Sequence, residues 1–276
     1  MTVFYRCASL ILCLHLAASL AFCDNQISDS ILTTQLRKLT SVHSVTFTPI
    51  KTKPKQIIIH LLNWHFISQD DYAADISDVE GKPIQEEELE KRYTEFLDEV
   101  EAVQKEQKQI LRHLIKRHKI QSVYIEGLTE KNLSAFNKFI KTLREFEVPK
   151  GNDGFDLYLK EHFRRDLLQM GVAAQLLISN ELKAVLPLEN AEAFESANPI
   201  TKDGKIQFDE AADQRREDAM VKILQKEKGL SVILLGGDHD LSDNLKRMKL
   251  GSVRYVRVTT KQYERVLGGT ENDYTK

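Results

Sequence analysis

The chain has 276 residues, of which 42% are hydrophobic and 29% charged, so it is long enough to bury the core of one large domain. The 39 lysines and arginines are balanced by 41 acidic residues, and the formal net charge of −2 gives no basic field for nucleic acid. The three cysteines all fall within the first 23 positions, which excludes cysteine-rich zinc sites. The expected partner is therefore a small-molecule substrate or cofactor.

The N-terminus has the pattern of an export signal. Arg6 supplies a positive charge, Ala8–Leu20 an apolar core, and Ala21 ends a small-x-small cleavage site. We expect residues 1–21 to be removed and the mature protein to be periplasmic or extracellular. An uncleaved anchor, or lipidation at Cys23, is the alternative, and a membrane is expected as a partner only through one of these.

The first half of the chain reads as a lead-in followed by a β/α unit. Residues 22–55 are expected to pack loosely around one helix near Ile31–Leu39. Gln56–Leu62 is apolar on both faces, as in a central parallel strand, and Glu86–His118 repeats apolar residues at helical spacing. The next strand, Ser122–Ile125, should then lie parallel to the first.

The second half continues the alternation and completes one α/β domain over 56–267, with a mostly parallel central sheet and helices on both faces. We expect residues 268–276 to form a disordered tail. The remaining predicted elements are, in order, helices at Asn132–Glu147, Phe155–Met170 and Val172–Asn180, a strand at Leu182–Leu188, helices at Ala191–Ser196 and Asp209–Lys228, a strand that ends at Gly236, and an edge strand at Ser252–Thr259.

Three of the predicted strands end in polar residues. His65 follows the first strand, Glu126 ends the second, and the run Val232–Asp240 delivers His239 after Gly236 and Gly237. Because open α/β sheets bind ligands beyond the carboxyl ends of their strands, these side chains are predicted to share one site.

The residue types at these strand ends suggest a hydrolytic or metal-binding site. His65, Glu126 and His239 are the candidate catalytic residues, because imidazole and carboxylate can activate water. The candidate ligands for a divalent metal (zinc, manganese or cobalt) are His65, Glu126, Asp238, His239 and Glu189, and the candidate cofactor-binding residues are Asn63, Trp64, Gly236 and Gly237.

Each of these residues also has a structural explanation. His239 could fill a turn while Asp240 caps the next helix, and Glu189 could begin a helix. Glu126 could pair with an arginine or histidine instead of a metal. Arg215 and Arg216 belong to a charge run that is usually solvated, although one of them could turn inward to balance buried carboxylates.

The order of these motifs resembles the superfamily of erythromycin esterases, ChaN haem-binding lipoproteins, and the Tiki and TraB proteins. Gly236-Gly-Asp-His239 is similar to its Gly-x-x-His element, and Val123-Tyr-Ile-Glu126 is similar to its strand-end glutamate. The helix Gln214–Ile223, with Arg216 and Met220, resembles the helix before the last motif. The resemblance covers about Gln56 to Thr260 and implies an α/β fold with its site at the strand ends.

The first motif departs from this pattern. The superfamily commonly has Gly-Glu-x-His, whereas this chain has Leu62-Asn-Trp-His65. Asn63 can form hydrogen bonds but cannot act as a base. Three functions stay open: a metal-dependent hydrolase of ester or amide bonds, a haem- or iron-cofactor-binding protein of the cell envelope, and a member that has lost its chemistry.

Overall fold

A computed structural model describes residues 29–50, 52–199 and 207–273. The predicted signal segment 1–21 and Cys23 lie outside these ranges. The elements are α1 (Asp29–Arg37), β1 (Val42–Phe47), β2 (Gln56–Asn63), α2 (Gln69–Glu80), α3 (Glu86–His118), β3 (Ser122–Thr129), α4 (Leu133–Glu145), α5 (Gly154–Ile178), β4 (Ala184–Glu189), α6 (Ala191–Ser196), α7 (Glu210–Leu224), β5 (Gly229–Gly236), α8 (Ser242–Arg247), β6 (Val253–Thr260) and α9 (Lys261–Asp273).

The strands form one six-stranded sheet in the order β1-β6-β2-β5-β3-β4. All neighbouring strands run parallel except β1, which pairs antiparallel with β6. The predicted α/β class with a mostly parallel sheet is therefore confirmed, and the described chain is consistent with a single domain.

Helices cover both faces of the sheet, which explains why the central strands are apolar on both sides. Ile57, Ile59 and Leu61 of β2 pack in a core with α1, α3 and α5. Ile58, on the opposite face of β2, packs in a second core with α7 and α8. The amphipathic helix predicted at Glu86–His118 is α3, with the same bounds.

Two expectations about the sheet edge are wrong. The lead-in 22–55 is not loosely packed in its described part, because Leu32 and Leu36 of α1 are fully buried and β1 joins the sheet. The strand predicted to be an edge, observed as β6, instead lies between β1 and β2. The short β1, in which only Val42 and Val45 are buried, takes the edge.

The C-terminal segment also differs from the prediction. The structure continues helix α9 from Lys261 through Gly268 to Asp273, where the sequence predicts a disordered tail from position 268. Tyr263 and Val266 are buried in a cluster with Leu62 and Val103, which anchors the start of this helix. None of the described helices is both long and apolar enough to cross a membrane.

Candidate functional site

The carboxyl ends of the parallel strands bring the three predicted site residues together. Asn63 at the end of β2 is in register with Gly236 at the end of β5, and Ile125 of β3 pairs with Leu234 of β5. The carboxylate of Glu126 reaches both histidines. Its Oε2 is 3.3 Å from His65 Nε2, and its Oε1 is 3.4 Å from His239 Nε2.

Glu126 is held by four groups, two of which lie on the elements α7 and β5 and two in the loops that follow β2 and β5. Besides the two histidines, Arg216 Nη2 donates to Oε1 at 2.9 Å and the Gly236 amide donates to Oε2 at 2.8 Å. Burial by itself would raise the pKa of Glu126, but the hydrogen bond with His239, the nearby imidazoles of His65 and His239, and the Gly236 amide outweigh it. The pKa of Glu126 is held well below its ordinary value, so this carboxylate is ionised.

Arg216 links Glu126 to a second, more deeply buried carboxylate. Its Nη2 donates to Glu189 Oε1 at 2.6 Å, and the Glu189 side chain has no exposed surface. The guanidinium also lies over the Phe194 ring, 5.1 Å from its centroid, an arrangement that favours a cation. Arg216 thus provides the charge that allows two carboxylates to be buried near one another.

His239 is the second cation of the site. Its Nδ1 lies 3.0 Å from Glu217 Oε1, so both ring nitrogens face carboxylates. Burial would lower the pKa of His239, but the hydrogen bonds to Glu126 and Glu217 and the charge of Glu126 raise it to about 10. At neutral pH this imidazolium donates from both nitrogens, which makes it a fixed charge and not a general base.

The two glycines before His239 allow the strand ends to approach one another. A Cβ on Gly236 would lie 2.5 Å from His65 Nε2 and 3.4 Å from Glu126 Oε2, and a Cβ on Gly237 would overlap the Tyr263 hydroxyl. Both predicted cofactor-binding glycines are thus required for close packing around the site.

The other predicted residues have different environments. Asp238 is exposed, and no contact of its side chain with His65, Glu126 or His239 is found among the described residues. Asp240 Oδ1 accepts from the amide of Ser242, the first residue of α8, but the N-cap position is held by Leu241, so Asp240 precedes the cap that the sequence allowed it to form.

Asn63 Oδ1 accepts from Gln107 Nε2 at 3.2 Å, so the amide that replaces the expected glutamate is tied to α3. Trp64 packs edge-on against Tyr263, with ring centroids 5.8 Å apart.

His60, in the middle of β2, is a core residue. It is fully buried, with Nε2 donating to the Leu235 carbonyl at 2.9 Å and Nδ1 accepting from the Tyr255 hydroxyl at 2.6 Å. Burial lowers the pKa of His60 to about 4, so the ring is neutral and satisfied.

Three of the residues predicted to hold a metal, Glu126, Glu189 and His239, are already paired with other charged side chains. Glu189 and Glu126 already accept from Arg216, and both nitrogens of His239 face carboxylates. Arg216 therefore supplies the positive charge that a metal ion would otherwise provide. One of the predicted ligands, His239, also forms a group with Asp213 and Glu217 in which three possible ligand atoms lie within 4.8 Å of one another.

A cavity of about 680 Å³ opens beside Glu126 and His65, and we call it the strand-end cavity. Asn63 and Trp64 line it, together with residues of α3, α4, α5 and α6. Its volume is in the range that binds small organic molecules. The His65 side chain is 52% exposed, so the imidazole held by Glu126 remains accessible.

One wall of this cavity is a break in helix α5. Gly171 has φ 77° and ψ 174°, which interrupts the helix and matches the sequence prediction of two helices that meet there. Two glutamine side chains donate hydrogen bonds to backbone carbonyl groups beside this break. Gln104 Nε2 donates to the Leu168 carbonyl at 2.8 Å, and Gln175 Nε2 donates to the Leu167 carbonyl at 3.0 Å. The carbonyl groups of Leu167 and Leu168 therefore remain hydrogen-bonded despite the break.

Sequence reasoning identified the strand ends but not the residues that support them. It left open which arginine turns inward, and it did not select Glu217 or the glutamines of α3. A signal for Arg216 was present, because Ala212 and Met220 lie four residues to either side and are both buried. The spacing therefore places Arg216 on the inner face of α7.

Comparisons with known proteins add no family to this description. No protein-family model matches the sequence, and neither the curated proteins nor the solved structures contain a significant match. The resemblance to the erythromycin esterase, ChaN, Tiki and TraB superfamily stays a prediction.

Proposed function

We propose that this protein is a hydrolase of ester or amide bonds, in which His65 activates a water molecule under the control of Glu126. The observation that carries the proposal is the His65–Glu126 pair at the strand-end cavity, where an ionised carboxylate lies 3.3 Å from an accessible imidazole. A carboxylate that fixes one imidazole nitrogen leaves the other free to act as a base.

The nucleophile in this proposal is water. Among the described residues that line the cavity, there is no serine, threonine or cysteine. His65 Nε2 donates to Glu126 Oε2, and Nδ1 accepts a proton from water as its oxygen attacks the substrate carbonyl. The imidazolium, stabilised by Glu126, then returns the proton to the leaving alkoxide or amine.

Arg216 and His239 act indirectly in this scheme. Both are positive and in contact with Glu126, so they keep it ionised and fix its position. They are positioning residues, because their polar atoms are paired with carboxylates and they do not line the cavity.

The test compares hydrolysis by the wild type with that by His65→Gln and Glu126→Gln. We expect each variant to lose about 10²- to 10⁴-fold in kcat/KM, the usual contribution of a general base. Asp238→Asn is the matched control, because this exposed carboxylate lies at the same strand end without contacting the pair. Wild-type turnover in His65→Gln would reject the proposal.

The scheme assigns no step to the metal ion that the sequence predicts. Asp213, Glu217 and His239 are the residues through which a divalent ion would bind, and Asp213 is half-exposed. We expect activity to survive treatment with a chelator and the Asp213→Asn substitution. Activity that is lost on chelation and restored by zinc, manganese or cobalt would instead favour the metal-dependent mechanism.

Haem binding is the second candidate function. The observation in its favour is that an exposed histidine, His65, lies beside Trp64 and Phe66 on the wall of a large apolar cavity. Haem titration should then give a Soret shift in the wild type that is absent in His65→Ala. An unshifted wild-type spectrum would reject this candidate.

Export from the cytoplasm is a separate proposal, supported by the sequence alone. Mass spectrometry of the protein produced from the full chain tests it, because cleavage after Ala21 gives a mature protein that begins at Phe22. A lipid-modified protein beginning at Cys23 would support the lipoprotein alternative. An intact N-terminus in the soluble fraction would contradict export.

A further inference from the structure

The strand-end cavity is lined mainly by aromatic and aliphatic side chains of five elements. His65 and Glu126, beside the ends of β2 and β3, form what we call its polar end, and the uncharged polar residues Asn63, Gln104, Asn132 and Gln169 also line it. The apolar lining residues include Ile125, Leu128, Phe136, Phe139, Leu168, Met170, Val172, Phe194 and Leu234.

The charges around the polar end disfavour an anionic ligand. His65 and Glu126 are the only ionisable side chains among the described lining residues. The ion-pair network that includes Glu126 contains three carboxylates and two cations. The carboxylates are Glu126, Glu189 and Glu217, and the cations are Arg216 and His239. A carboxylate or phosphate in the cavity would therefore meet a net negative field without a free cation to bind it.

From this combination we infer that the cavity binds the uncharged, medium-length acyl group of its substrate, with the scissile carbonyl beside His65. The inference rests on the proposed hydrolase function for the reacting end, and on the lining of the cavity for the acyl group. Transfer of each methylene group from water into such a lining is favourable, so affinity should increase with chain length until the cavity is full.

The rim of the cavity offers a residue that controls the length of this group. Ala135 on α4 lines the cavity, and its position is exposed to solvent, so a larger side chain there would narrow the space without entering the core. Asn137 is exposed on the same helix and does not line the cavity. The two variants Ala135→Phe and Asn137→Phe introduce the same side chain. Only the phenylalanine at position 135 would lie in the cavity.

Trp64 makes binding measurable without turnover. It is the only tryptophan in the sequence and lines the cavity, so its fluorescence reports on ligands that enter. The probes are hexyl, octyl and decyl methyl ketones, which carry a carbonyl but no scissile bond, and fatty carboxylates of the same lengths. All are titrated into the wild type and the two phenylalanine variants at neutral pH.

We expect the affinity of the ketones to rise about fourfold per methylene group, and each carboxylate to bind at least about tenfold more weakly than its matching ketone. Ala135→Phe should weaken decyl ketone binding by at least about tenfold, while Asn137→Phe behaves as the wild type. Affinities that do not change with chain length, or equal affinities for ketone and carboxylate, would overturn the inference.

The same variants separate this inference from the proposed function. If ketones bind with the expected length dependence but no ester is hydrolysed, the acyl cavity stands and the hydrolase proposal fails. If esters are hydrolysed at rates that are independent of acyl length and of Ala135→Phe, the hydrolase proposal stands and the acyl cavity is rejected.

Discussion

Arg216 donates to Glu189 at 2.6 Å in an ion pair whose carboxylate has no exposed surface. The same guanidinium nitrogen reaches Glu126, the carboxylate that contacts both site histidines. The stability of the fold and the geometry of the candidate site therefore depend on one side chain.

Replacement of Arg216 by methionine should strongly destabilise the protein. The variant leaves Glu189 buried without its cation, and an uncompensated buried charge costs about 3–5 kcal/mol. Urea unfolding at neutral pH measures the effect. Arg215→Met is the control, because Arg215 is 63% exposed, and it should change the free energy of unfolding by less than about 0.5 kcal/mol. Similar stabilities of the two variants would contradict the role of Arg216.

The protonation of His239 should stabilise the protein up to alkaline pH. Its pKa is raised from 6.5 to about 10 by folding, so the folded state holds the proton more tightly than the unfolded state. This contribution is fully present below pH 6.5 and is lost as the pH rises through 10. Titration of the ring nitrogens by NMR checks it directly, and a midpoint near 6.5 would contradict the prediction.

An alanine at Gly236 should disturb the site without unfolding the protein. The added Cβ would meet His65 Nε2 at 2.5 Å, and this exposed side chain can move away at little cost. We expect the His65–Glu126 contact to be lost, which NMR would detect as a shift of the His65 ring signals. The rate of hydrolysis should fall in the same variant. Gly251→Ala is the control, because a Cβ there meets nothing within 4 Å. An unchanged His65 signal in Gly236→Ala would show that residue 236 does not lie close to the His65 ring.

An alanine at Gly171 should destabilise the protein through its backbone alone. Nothing lies within 4 Å of a Cβ at this position, but its φ of +77° is unfavourable for alanine and costs about 1–3 kcal/mol. Gly154→Ala, at the first residue of the same helix, has neither a positive φ nor a neighbour within 4 Å and should be tolerated. Equal unfolding free energies for the two variants would mean that the break in α5 is not required.

The order of elements and the place of the site could be predicted from the sequence, because both follow from local patterns. The spacing of apolar residues predicts the bounds of α3. The apolar runs that end at Glu126 and shortly before His239 predict the carboxyl edge of the sheet. These patterns depend on neighbours along the chain.

The partners of the site residues could not be predicted, because they depend on packing between distant elements. The apolar spacing of α7 indicates that Arg216 faces inward, but its pairing with Glu189 at the end of β4 depends on packing between distant elements. Asp238 and His239 are adjacent in sequence, yet one is exposed and the other is paired with Glu126 and Glu217. The edge strand β1 was missed for the same reason, since its pairing partner is at the other end of the domain.

The pairing of β1 with β6 has a consequence for the order in which the protein can assemble. Val45 is in register with Val258, so the first strand of the sheet can pair only after nearly the whole domain has been synthesised. Until then the backbone of β1 lacks the strand that it pairs with, and an unpaired strand is open to association with other chains. A chaperone that holds this N-terminal segment during synthesis would protect the chain at its most vulnerable stage.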